Sequence, residues 1–224
     1  RTVLVYCSDH GDMAGEYGLW YKSNMMNASV KIPLIISTPG RLRGGAEVDR
    51  VCSLIDIGPT LLDLAAAPAL PEADGRSLRP FLEGGGEHPA WPDFAFAEEH
   101  GAGGRAPSCM LRQGPWKFIY HDGEDPHQLF HEEEDPGEEQ DRIDDPACAG
   151  LVRAFTARIE ARWSGRFLRE TLRRERNQRR VVESCGHPLL PHALEPVLMP
   201  EGLHYFDAGQ LPMRPRHRRG DREA

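Results

Sequence analysis

The sequence predicts an α/β architecture followed by a small antiparallel α+β subdomain, and three local patterns lead to that expectation. Two short apolar and largely β-branched runs, Val3-Leu4-Val5-Tyr6 and Ile32-Pro33-Leu34-Ile35-Ile36-Ser37, have the unbroken hydrophobicity of strands buried on both faces of a parallel sheet. Asp56-Ile57-Gly58-Pro59-Thr60-Leu61-Leu62-Asp63-Leu64-Ala65 reads as a helix, with Pro59 in its first turn and leucines on one packing face. Further on, the runs 108–112 and 116–120 flank Gln113-Gly114-Pro115, the layout of an antiparallel pair joined by a turn.

Taken in order, the first strand is followed by a loop, and the second by Pro39-Gly40 and Gly44-Gly45, which punctuate another loop. After the helix the three glycines at 84–86, with prolines nearby, mark a linker, so residues 1–86 are expected to be one domain portion. Residues 94–97 extend the second sheet. Leu151, Val152, Phe155, Ile159 and Trp163 then recur at helical spacing, which predicts an amphipathic helix closing a subdomain at 87–175. Residues 176–224 form a C-terminal extension whose last ten or so positions are expected to be disordered.

Composition narrows the function classes. The 224 residues are 39% hydrophobic and 28% charged, enough for a substantial core, and the net charge of −8 argues against nucleic-acid and membrane partners. Ten arginines lie between residues 151 and 180 and could suggest a nucleic-acid arm, but the helical spacing of the apolar positions assigns them to the wet face of a docked helix. Five irregularly spaced cysteines do not form a disulfide framework, which favours a reducing, cytoplasmic setting. No stretch approaches the roughly 20 apolar residues of a membrane span.

The chemistry begins where the first strand ends, at Ser8-Asp9-His10-Gly11. In open α/β sheets ligands bind outside the carboxyl ends of strands. Asp9 offers a hard oxygen and His10 a neutral imidazole nitrogen, a pair that suits a divalent cation once other ligands join it. The same four residues also read as a turn in which Asp9 caps the next segment and Gly11 relaxes the backbone.

The longer pattern Ser8-Asp9-His10-Gly11-Asp12-Met13, Gly18-Leu19-Trp20-Tyr21-Lys22, Ile32-Pro33-Leu34-Ile35-Ile36-Ser37 and Pro39-Gly40 resembles the metal- and sulfate-binding stretch of the sulfatases, in the alkaline phosphatase superfamily. The resemblance implies the C-terminal part of a mixed sheet sandwiched by helices, with Asp9 and His10 as metal ligands. It also implies that Lys22 contacts the sulfate ester. Trp20 and Tyr21 read as packing beneath Lys22, with added aromatic surface for the substrate as the alternative. His10, where many arylsulfatases have Asn, is similar to choline sulfatases and phosphonate monoester hydrolases. Ala97-Glu98-Glu99-His100, Met110-Leu111-Arg112, Trp116-Lys117-Phe118-Ile119 and Asp135-Pro136-Gly137-Glu138 look like the matching region of choline sulfatases more than that of generic arylsulfatases.

A trimethylammonium group offers no N–H donor, so its recognition calls for aromatic faces and a carboxylate. Glu98 or Glu99 is the candidate carboxylate, and His100 either contacts the substrate or is an ordinary loop histidine. The implied cofactors are a divalent metal, Ca2+ with Mn2+ or Mg2+ as alternatives, and a formylglycine nucleophile made from Cys in a Cys-x-Pro/Ala-x-Arg motif. None of the five cysteines opens that motif. The chain is therefore expected to be the C-terminal part of a longer, homo-oligomeric hydrolase of small-molecule sulfate esters, inactive by itself. The alternatives are a phosphonate or phosphate ester hydrolase and a degenerate member that only binds.

Overall fold

The computed structural model describes residues 2–39, 45–84, 88–100, 106–123 and 125–184. The linker expected at 84–86 and the tail beyond residue 184 lie largely outside them. The chain divides into two compact units, residues 1–173 and residues 174–224.

The first unit opens with β1 (Leu4–Cys7), a four-residue helix α1 (Asn27–Val30) and β2 (Leu34–Ser37). Within this chain β1 pairs with β2 antiparallel, Tyr6 opposite Ile35 and Val5 opposite Ile36. That corrects the expectation of parallel strands buried on both faces: Leu4, Tyr6 and Ile35 are 56%, 63% and 60% exposed. Opposed residues share a face, so Leu4, Tyr6 and Ile35 lie together on one side of a ribbon too small to cover it.

Next come α2 (Ile57–Leu64) and α3 (Arg79–Gly84). The helix forms where it was predicted, with Pro59 in its first turn, but its buried face is Thr60 and Leu64 while Leu61 is exposed. A polar anchor explains the difference. Asp56 is buried because its carboxylate accepts the backbone N–H groups of Ser53 and Arg76, both at 2.8 Å. Thr60 Oγ1 donates to the Asp56 carbonyl at 2.6 Å and accepts from Leu78 N–H at 2.8 Å. Buried polar groups are tolerated when partnered in this way.

The second sheet is a four-stranded antiparallel meander, β3 (Phe94–Glu99), β4 (Ser108–Gln113), β5 (Trp116–His121) and β6 (Gln128–His131), in sequence order. Gln113 pairs with Trp116, so the turn is the two residues Gly114 and Pro115, and Gly114 takes the left-handed φ of +53° that such a turn requires. Cys109, Leu111, Phe118 and Leu129 form the dry face, onto which α4 (Ala149–Glu160) lays Phe155 and Ile159. Trp163, just past the end of α4, completes that core, and Arg153 and Arg158 stay exposed as the helical spacing predicted. On the other face Met110, Ile119 and Phe130 pack with Met25 and, at their edge, Val30 of α1. A last helix, α5 (Gly165–Ser184), carries the remaining arginines of the basic stretch except Arg162, which lies in the turn between the two helices.

Candidate functional site

Two backbone contacts bring the first candidate residues together. Gly11 N–H donates to the Ser29 carbonyl at 2.8 Å, tying the turn after β1 to α1. A Cβ at residue 11 would sit 2.0 Å from the Ala28 carbonyl oxygen, so glycine is required by close approach rather than by a special φ. Met13 N–H donates to the Tyr21 carbonyl at 2.7 Å, closing the loop over the fully buried Met13 and returning Lys22 to the turn. Trp20 and Tyr21 are largely exposed rather than buried beneath Lys22, and the buried anchor of this loop is Met13.

The turn reading and the ligand reading prove compatible. Ser8 Oγ donates to the His10 carbonyl at 2.7 Å, and Asp9 Oδ1 accepts His10 N–H at 3.0 Å. That backbone N–H is the main reason the Asp9 carboxyl is held below its ordinary value, so it remains an anion on a side chain 83% exposed. His10 Nδ1 lies 2.7 Å from the Gly11 carbonyl, which can only accept, so the proton is on Nδ1 and Nε2 carries the lone pair. Lys22 Nζ donates to that lone pair at 2.7 Å, and Asp9 Oδ2 is 3.5 Å from it. An imidazole oriented by a backbone carbonyl, with its other nitrogen facing a cationic group, has the arrangement of a metal-ligating histidine. Among the described residues no cluster of three His, Cys, Asp or Glu side chains is placed to hold a metal.

Asp9, His10 and Lys22 line a cleft of about 820 Å³, and its far residues come from the second sheet, including Glu98, Glu99, Arg112, Lys117 and Glu132. Strand parity separates the two glutamates. Glu98 is opposite Cys109 of the dry face; its Oε2 accepts the Trp163 indole N–H at 2.7 Å and lies 3.3 Å from His100 Nε2. Glu99 shares its side with Ala97 and Met110, the side that Val30 of α1 packs against. His100 contacts Glu98 but does not line the cleft.

The sequence reading gave no role to a buried ionic cluster at the base of this cleft. Lys117 is 1% exposed; its Nζ donates to Glu138 Oε1 at 2.5 Å and to Asn27 Oδ1 at 3.1 Å, and lies 3.8 Å from Glu132. Burial pulls the Lys117 ammonium below its ordinary pKa, against the upward pull of Glu138. The available signal was parity: Lys117 falls on the same strand side as Ile119, an unusual place for a charge.

The family described as N-sulphoglucosamine sulphohydrolase, C-terminal, matches residues 15–164. Arylsulfatase K of Danio rerio is 41% identical over 145 residues, 62% of this chain and 27% of that protein. Choline-sulfatase of Rhizobium meliloti (strain 1021) is 34% identical over 188 residues, 81% of this chain and 35% of that protein. The phosphonate monoester hydrolase of Silicibacter pomeroyi superposes with a TM-score of 0.61 at 28% identity, over 71% of this chain and 34% of that one. The chain thus spans about a quarter to a third of the length of the curated relatives it matches. With a family match across most of the described residues, this chain belongs to the sulfatases, with the alkaline-phosphatase-like fold.

Proposed function

We propose that the intact protein hydrolyses a sulfuric ester of a cationic alcohol, with choline-O-sulfate, cleaved to choline and sulfate, as the reference substrate. The observation that carries the reading is one cleft lined by a cationic side chain, Lys22, and by the carboxylates Glu98 and Glu99. The likeness to choline-sulfatase supports it, since that match covers 81% of the chain against 62% for arylsulfatase K.

Asp9 and His10 fit a divalent cation: the carboxylate stays ionised, and the Nε2 lone pair already faces a positive group. Ca2+ is the first choice and Mn2+ or Mg2+ the alternatives, with the remaining ligands supplied from outside the described residues. When bound, such an ion would polarise the ester oxygens and stabilise the charge that grows on them. Lys22 adds a second positive group to those oxygens. Glu99 offers its charge to the alcohol's ammonium from the cleft side of β3, while Glu98 is held by Trp163. The nucleophile, a formylglycine in this reading, lies outside this chain.

The test uses the purified intact gene product that carries this chain, assayed for release of product from choline-O-sulfate, an aryl sulfate and an aryl phosphonate monoester. Choline release is expected to be the fastest. Aryl sulfate cleavage without choline release would keep the sulfatase and remove the cationic alcohol. The phosphonate is the second reading, favoured by the likeness to phosphonate monoester hydrolase, and preferential turnover of it would replace the first. Asp9→Ala should lower turnover more than about 100-fold through lost cation binding, since even the partners behind metal ligands are worth about 10- to 100-fold.

A further inference from the structure

The buried lysine of β5, Lys117, is far in sequence from the Asp-His-Gly turn but close to the helix that supports it. Its two closest contacts converge on Asn27, the first residue of α1: Lys117 Nζ reaches Asn27 Oδ1 at 3.1 Å, and Glu138, which Lys117 pairs with at 2.5 Å, accepts Asn27 N–H on its other oxygen at 2.7 Å. α1 has only four residues and cannot hold itself, because helices shorter than about 12 residues are marginal in isolation. What α1 supports is the turn. The Ser29 carbonyl takes Gly11 N–H at 2.8 Å, the Ala28 carbonyl fills the space a side chain at residue 11 would need, and the Gly11 carbonyl takes the Nδ1–H of His10 at 2.7 Å.

We infer that Lys117, with Glu138, is a positioning residue of the cation site: the buried ion pair clamps the start of α1 and, through Ala28, Ser29 and Gly11, aims His10 Nε2 into the cleft. The inference rests on reading Asp9 and His10 as cation ligands. It assigns the second sheet a part in the chemistry beyond shaping the cleft, since strand β5 and the loop at Glu138 then set the direction of a ligand on the first ribbon.

A buried ion pair separates positioning from stability, because replacing both partners with apolar or neutral groups of similar size is often neutral for folding. The double variant Lys117→Met with Glu138→Gln in the intact protein is expected to keep a melting temperature near the wild type. Its affinity for Ca2+ or Mn2+, measured by titration calorimetry, should fall about 10- to 100-fold, the range for residues that orient metal ligands. Saturating cation should restore turnover, so that the loss appears in the half-saturating cation concentration. Phe118→Leu, on the dry face of the same strand, should lower the melting temperature and leave cation affinity unchanged. Wild-type cation affinity in the double variant would overturn the inference. If the double variant does not fold, Asn27→Ala keeps the ion pair and removes the 3.1 Å contact, and it is expected to weaken cation binding several-fold; unchanged affinity there would equally sink the clamp. Failure of the wild type to bind Ca2+ or Mn2+ would remove the ligand reading itself, and this inference with it.

Discussion

The two faces of the four-stranded sheet are built from alternate residues of the same strands, yet they do different work. On the face under α4, Cys109, Leu111, Phe118 and Leu129 meet Phe155, Ile159 and Trp163 in an apolar layer. On the other, Met110, Ile119 and Phe130 share their side with Arg112, Lys117 and the cleft. The dry face buries area without direction, so its residues matter by volume. The wet face keeps charges that burial alone would disfavour, so its residues matter by where they point. Stability and chemistry can therefore be disturbed separately, one strand position apart.

The largest test of that separation is Lys22→Ala, which removes the cationic group beside His10. Turnover of the intact protein should fall about 100- to 1,000-fold with no change in melting temperature, measured by steady-state kinetics and thermal unfolding. Phe118→Ala should do the reverse: about 3–5 kcal/mol of stability lost in denaturant titration, with cation affinity kept. If Phe118→Ala weakened cation binding as much as the Lys117 double variant does, the two faces would not be separable.

Gly11→Ala sits between these cases. The added Cβ meets the Ala28 carbonyl, so the turn must lift from α1, and cation affinity should drop about 10-fold or more with a modest loss of stability. Trp163→Phe keeps the ring in the dry core and deletes the donor to Glu98, which should cost about 1 kcal/mol in denaturant titration without affecting cation binding.

The smallest effect is a slope with pH. Burial, followed by the neighbouring His121, holds His127 below its ordinary pKa; its ring stacks on Tyr120 at 4.4 Å and its Nδ1 accepts His121 N–H at 3.3 Å. The folded state then resists a proton that the unfolded chain accepts near pH 6.5. Stability should fall as pH drops through that value, because the unfolded state binds more protons there. His127→Phe should flatten the slope between pH 7 and 5.5; an unaltered slope would assign the titration to another group.

Much of this architecture was legible one element at a time. The hairpin of β4 and β5 was announced by two short runs flanking Gln113-Gly114-Pro115, and α4 by Phe155 and Ile159 at helical spacing. What stayed hidden involved partners distant in sequence. The antiparallel pairing of β1 with β2 could not be read from two unbroken apolar runs, whose composition suits either direction of pairing. The leucine face assigned to α2 missed that Asp56 and Thr60 are satisfied by Ser53, Arg76 and Leu78, which turns a polar pair into the buried one. Lys117 and Glu138 stood in quoted motifs without a role, because Asn27, which joins them to the turn, lies 90 and 111 residues away.

By itself, then, the sequence determined which elements form and which groups could carry chemistry: Asp9 and His10 at a strand end, Lys22 after a short loop, and a carboxylate pair at Glu98 and Glu99. Asp9 and His10 follow from strand periodicity and the donor chemistry of single side chains, while Lys22 and the two glutamates follow from the resemblance of their surrounding motifs to those of sulfatases. Only the tertiary structure decided that His10 carries its proton on Nδ1, that Glu99 faces the cleft side while Glu98 turns to Trp163, and that a lysine of the second sheet reaches the helix beneath the turn. Each of those depends on which side of a strand another element packs, a choice made when distant segments meet and bury one another.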